Sequence, residues 1–180
     1  LHLSLALLII SILFWIFLNT IKKTKKKFFL LENKNIIFLF LFLLIFSQII
    51  LGAFVSGLDA GKIYQTWPLM GSSYFPNDFS IKGLNNFFEF DNHSLVQFYH
   101  RNLAYIISLY ILFLGFFIFI KKLKKLIRPY LILFIFIIFQ IVLGILTLIS
   151  NLHIYLASAH QISSVLLLFS ALNLYYFHAK

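Results

Sequence analysis

Five apolar runs, at residues 1–20, 36–57, 94–120, 129–150 and 154–177, decide what this chain can fold into. Crossing the hydrocarbon core of a bilayer takes about 20 apolar residues in a helix. Apart from Arg101, none of the five runs contains Asp, Glu, Lys or Arg. Within hydrocarbon each backbone N–H and C=O must find its partner internally, and a helix provides that within one segment. The chain is therefore predicted to be all-α, a polytopic transmembrane helical bundle with five spans.

Charge placement orders the spans. Charged residues make up 11% of the chain, against about 25% in soluble domains. The 15 Lys and Arg outnumber the 5 Asp and Glu, but they fall in a pattern. Lys22, Lys23, Lys25, Lys26, Lys27, Lys34, Lys121, Lys122, Lys124, Lys125, Arg128 and Lys180 share one side of the expected bundle; Lys62 and Lys82 share the other. By the positive-inside rule the start of the chain lies outside and the C-terminus lies in the cytoplasm or matrix. The lysines are read as anchors beside anionic headgroups of the lipid bilayer, so a nucleic-acid partner is not expected. With no Cys, disulfides, thiolate metal sites and cysteine nucleophiles are excluded. Residues 1–20 lack the basic start and small-residue cleavage site of a signal peptide. The chain opens at Leu1 inside an apolar run and reads as a fragment or a processed product.

A repeat is written into the last four spans. SQIILG ends at Gly52 and FQIVLG ends at Gly144, and each leads to a following run with a histidine near its start, His100 and His160. At about 1.5 Å per residue, both glycines and both histidines fall roughly 8–9 Å from the outer ends of their helices. Four helices then form a pseudo-twofold bundle with two imidazoles and two glycines in one layer. Haem iron takes two axial imidazoles from opposite faces, and glycine lets a flat macrocycle approach closely. Gln48 and Gln140 stand four residues before the glycines, on the same helical face, placed to donate to the second ring nitrogen of each histidine. The other reading makes the histidines helix–helix hydrogen-bond partners and the glycines small residues at packed interfaces. Arg101 must reach an anion such as a haem propionate, or snorkel to the headgroups.

His2, near the outer end of the first run, reads on this chain alone as an interfacial histidine, as do His93, His153 and His178. His93 is the best placed of these to exchange protons near neutral pH. The one long connection, residues 58–92, lies outside. A connection of this length is more often functional than idle. Its NNFFEF stretch either lies flat on the membrane or belongs to a solvated loop.

These residues resemble the haem A synthase family. LGAFVSGLDAGKIYQTWPLMG matches its outer-loop signature, and VQFYHRNLAY and ASAHQISSVLLL match its two histidine segments; LHLSLALLI is similar to the start of its fourth helix. The resemblance covers essentially the whole chain and is closest to the cysteine-free type with the GLDAG loop, as in alphaproteobacteria and mitochondria. It implies that residues 1–20 are the last transmembrane helix of an N-terminal half, 21–35 a cytoplasmic basic loop, and 36–180 a C-terminal four-helix haem-binding half. The implied reaction oxidises a methyl group of haem O to a formyl group, giving haem A for cytochrome oxidase. The implied cofactor is a haem b held by His100 and His160. His2 matches a histidine of the substrate-haem site, whose remaining residues, including a glutamate, have no counterpart here. Asp59 is expected to order the loop, and Trp67 and Pro68 to be loop structure. Tyr99 stands where a smaller or polar residue is common.

The resemblance places such a protein in the bacterial plasma membrane or the mitochondrial inner membrane. Implied partners are haem O synthase, cytochrome oxidase assembly factors and a second copy of the chain. Two other readings remain open: a cytochrome b-like electron carrier that does not modify haem, and a transporter or assembly subunit in which the histidines pack helices or relay protons.

Overall fold

A computed structural model describes residues 2–28, 33–78 and 89–179. The chain forms five long helices: α1 (His2–Ile21), α2 (Asn33–Gly57), α3 (His93–Ile120), α4 (Lys124–Ile149) and α5 (Ile154–His178). Each is long and apolar enough to cross a membrane, and the protein is an integral membrane protein. Among the described residues there is no strand, only an isolated bridge between Met70 and Ser73. The large apolar side chains left exposed, such as Leu109, Phe113 and Phe116 on α3 and Ile135 and Ile138 on α4, suit a hydrocarbon solvent.

Helix bounds follow the sequence runs closely, with one informative departure. The fourth apolar run begins at Pro129, but α4 begins at Lys124 and carries Pro129 inside. The segment Lys124–Arg128 is rich in good helix formers, and the missing proline N–H costs one hydrogen bond near the end of the helix. At the start of α3, Asn92 caps the helix, its side chain accepting from the Leu95 N–H at 3.1 Å.

Helices α2, α3, α4 and α5 pack in a closed ring, each against its two neighbours, and α1 lies outside against α5 and α2. The dry core occupies one half of this ring. It contains Phe38, Phe42 and Ile45 of α2, Ile111 and Ile118 of α3, Leu126 and Leu133 of α4, and Leu168 and Leu172 of α5. All of these lie toward the lysine-rich end, which we term the basic end. The opposite half, the loop end, is where the glutamines, glycines and histidines of the repeat sit. Gly115 lets α3 meet α4 in the basic half, since a Cβ there would stand 2.1 Å from the Tyr130 hydroxyl.

A polar knot ties α1 to α5 at the basic end. The Lys26 carbonyl accepts from Trp15 Nε1 and Asn19 Nδ2, both at 2.9 Å. Lys26 Nζ donates to the carbonyls of Tyr176, at 2.9 Å, and Ala179. A cation that binds the free carbonyls at a helix C-terminus also opposes the negative end of the helix dipole. Burial, with the nearby Lys125 charge, lowers the Lys26 pKa from its ordinary value.

A paired histidine layer as the candidate cofactor site

Helices α2 and α3 run antiparallel, and this sets the local geometry. Side chains tilt toward the N-terminus of their own helix and carbonyls point toward its C-terminus. The His100 ring therefore leans toward the loop end, and its carbonyl faces the basic end. Four residues along α2 span about 6 Å, one helical turn. Gly52 stands opposite the ring and Gln48, one turn toward the basic end, opposite the carbonyl. Gln48 Nε2 donates to the His100 carbonyl at 2.9 Å. A Cβ built on Gly52 would stand 3.1 Å from His100 Cε1, so an alanine there forces the ring to move.

Helices α4 and α5 repeat the arrangement. Gln140 Nε2 donates to the His160 carbonyl at 3.0 Å, and a Cβ on Gly144 would stand 3.1 Å from His160 Cε1. The Gln-x-x-x-Gly spacing thus has a physical reading: the amide holds the carbonyl and the glycine makes room for the ring. Sequence reasoning directed both glutamines to ring nitrogens. The backbone carbonyl is instead the main acceptor in both copies, because it is the group that points at that turn of the neighbouring helix. The copies differ in detail. Gln48 Nε2 also lies 3.5 Å from His100 Nε2, whereas Gln140 Nε2 donates to Ser163 Oγ at 2.9 Å.

Both imidazoles are half-buried, and the Nδ1 atom of each is fully buried with no hydrogen-bond partner. A buried polar atom without a partner is costly, and here the cost recurs at equivalent positions of a repeat. Among the described residues no three His, Asp or Glu side chains gather as a set for a bare metal ion. Two imidazoles beside two close-approach glycines suit an ion that brings its other ligands in a flat ring.

Other residues singled out from the sequence lie elsewhere. His2 is exposed at the start of α1, outside this layer. Near it, an apolar cleft of about 260 Å³ between α1 and α2 is lined by Leu3, Ser4, Ala53, Gly57 and Leu58, among others. Asp59 is exposed, adopts a positive φ of 54° and pairs with Lys62 at 2.9 Å. The close contact that seats this loop comes from its neighbour Gly61, where a Cβ would stand 2.9 Å from Leu152 in the turn between α4 and α5. Trp67 and Pro68 are exposed loop residues joined by a cis peptide. The NNFFEF stretch lies largely outside the described residues.

Arg101 is engaged by backbone carbonyls of the outer connection. Its Nη1 donates to the carbonyls of Thr66 at 2.9 Å and Leu69 at 3.3 Å, and its Nη2 to that of Tyr64 at 3.0 Å. Gln97, one turn toward the loop end, donates to the same Tyr64 carbonyl at 2.8 Å. Sequence reasoning missed Gln97; the signal available was a polar residue one turn from His100 in an apolar run. The loop is braced further by Asp78, whose carboxylate accepts from Tyr64 and Ser94 hydroxyls, each at 2.5 Å. Burial alone would push the Asp78 carboxyl up, but these hydrogen bonds outweigh it and hold its pKa below the usual carboxylate value.

The family model COX15-CtaA, described as cytochrome oxidase assembly protein, matches residues 1–172. A heme A synthase from Pelagibacter ubique is 47% identical over 172 residues, covering 94% of this chain and 49% of the relative. A heme A synthase from Wolbachia pipientis is 38% identical over 173 residues, covering 96% of the chain and 48% of the relative. Another, from a Wolbachia of Brugia malayi, is 36% identical over 173 residues, covering 96% and 50%. The chain spans about half the length of these relatives. With a match across nearly all of its residues, the chain belongs to the COX15-CtaA family of cytochrome oxidase assembly proteins.

Proposed function

We propose that this chain is the haem-b-holding part of a haem A synthase, the enzyme that oxidises the methyl group of haem O to a formyl group. The observation that carries the reading is the doubled cradle, Gln48–Gly52 with His100 and Gln140–Gly144 with His160, each with an unpartnered buried ring nitrogen. The similarity to heme A synthases supports the haem chemistry.

In this reading His100 and His160 hold the iron, one imidazole from each hairpin. A haem held by these two residues would supply single-electron exchange. Gln48 and Gln140 fix the depth of the two histidines through their carbonyls, and Gly52 and Gly144 leave the rings room. Packing α2–α5 into a dry core at the basic end confines the polar layer to the loop end. Residues 36–180 act as the haem-binding half, residues 1–20 as a helix of the substrate half, and His2 faces the substrate haem. The basic end faces the cytoplasm or matrix and the loop end faces outside.

Pyridine haemochrome analysis of the full-length protein tests this. His100→Ala and His160→Ala are each expected to lose haem b, and the unaltered protein to convert haem O to haem A. Unchanged haem content in both variants overturns the ligand assignment. Retained haem b with no conversion by the unaltered protein leaves an electron carrier and overturns the synthase reading.

A further inference from the structure

The segment from Ala60 to Asp78 joins the two hairpins at the loop end. Gly61 packs against Leu152 in the α4–α5 turn, and the carbonyls of Tyr64, Thr66 and Leu69 converge on Arg101 of α3. Arg101 adjoins His100 in the chain, so its short reach to three carbonyls brings this segment down toward the imidazole layer. Gln97 adds a second donor to Tyr64 and is almost wholly buried, as is Met70 just beyond the clamped segment. A guanidinium presents five N–H donors in a planar fork, and here two of its nitrogens donate to three carbonyls.

We propose that Arg101 and Gln97 latch the Tyr64–Leu69 segment as a closure over the loop end of the histidine layer, and that releasing this latch opens the layer to water and solutes. The two are positioning residues: they act on the loop, and the loop acts on access. Every contact that forms the latch is within the chain.

The chain contains no cysteine, which gives a direct assay. With any cysteine outside these residues replaced by serine, Met70→Cys places a single thiol at a site 1% exposed. In native membranes, a membrane-impermeant maleimide added on the loop side is expected to label it slowly. Arg101→Ala and Gln97→Leu should each raise the labelling rate about tenfold, as loss of charged or buried hydrogen bonds opens a local segment. Arg101→Lys should fall between, since it keeps the charge and loses the fork. Ile107→Cys, 1% exposed within α3, reports on the fold and should stay unlabelled in every background. Equal labelling of Met70→Cys in all backgrounds, with Ile107→Cys protected, overturns the latch. Labelling of Ile107→Cys in both Arg101→Ala and Gln97→Leu also overturns it, because the pair would then be a requirement for folding rather than a closure.

Discussion

The His160 ring rests against the backbone of Gly144, where a Cβ would come within 3.1 Å of Cε1, and the same separation holds between Gly52 and His100. A methyl group at either glycine must push the imidazole aside by a few tenths of an ångström. Alanine is the better helix former by about 1 kcal/mol, so Gly52→Ala and Gly144→Ala should leave helix content unchanged or slightly raised. Haem content should nevertheless fall, by about the 10–100-fold in affinity that accompanies disturbed orientation of metal ligands. Circular dichroism read beside haem content per polypeptide checks this. A loss of both helicity and haem would instead point to global misfolding.

Gln48 and Gln140 make the same carbonyl bond but spend their second N–H differently. Gln140→Leu strands Ser163 Oγ only partly, because that hydroxyl also donates to the Ala159 carbonyl at 2.6 Å. Gln48→Leu removes the group nearest His100 Nε2. Interhelical hydrogen bonds in membranes average about 0.6 kcal/mol, so both variants should fold with small losses in stability. The absorption spectrum and midpoint potential of bound haem should shift more for Gln48→Leu than for Gln140→Leu. Denaturant titration in detergent and a redox titration separate the two effects.

Tyr130 and Gly115 give a packing prediction far from the histidines. A Cβ at Gly115 would stand 2.1 Å from the Tyr130 hydroxyl and 2.4 Å from Cζ, and Tyr130 is itself buried against α3. Overpacking of this kind costs about 1–3 kcal/mol. Gly115→Ala should therefore lower the thermal midpoint, and Tyr130→Phe in the same background should restore part of it by removing the closest atom. Thermal unfolding of the single and double variants in one detergent checks the pair.

How much of this was legible from the sequence depends on what encodes each feature. Apolar length encodes spans, so all five helices fall within a few residues of their runs; α4 departs because Lys and Arg extend a helix as readily as apolar residues do. The glycine–histidine approach within each hairpin was legible because antiparallel helices place equal sequence depths at equal heights. The targets of Gln48 and Gln140 were not legible. They depend on which backbone group a neighbouring helix turns toward them, and this follows from chain direction rather than from spacing. The Arg101 clamp was hidden for a different reason: the path of a loop has no period, so its carbonyls could not be assigned to a partner in advance.

Asp78, Tyr64 and Ser94 make the loop brace dependent on pH. Asp78 accepts two hydroxyl hydrogen bonds, and its folded pKa lies below its usual value of 3.8. A depressed acid contributes stabilisation that is present above the unfolded pKa and lost as pH falls through the folded one. The Tyr64 pKa is raised above its usual 10.0, first by burial and then by its bond to Asp78, so its contribution is present below that value and lost as pH rises through the raised one. The loop should thus be held through the neutral range and loosen below about pH 4 and above about pH 10. Trp67, exposed in the same loop, is the natural reporter, with Trp15 and any tryptophan outside these residues replaced by Phe. Its fluorescence should show two transitions, and Asp78→Asn should abolish the acidic one while leaving the alkaline one in place at a lower pH. An acidic transition that survives Asp78→Asn assigns the titration to another group.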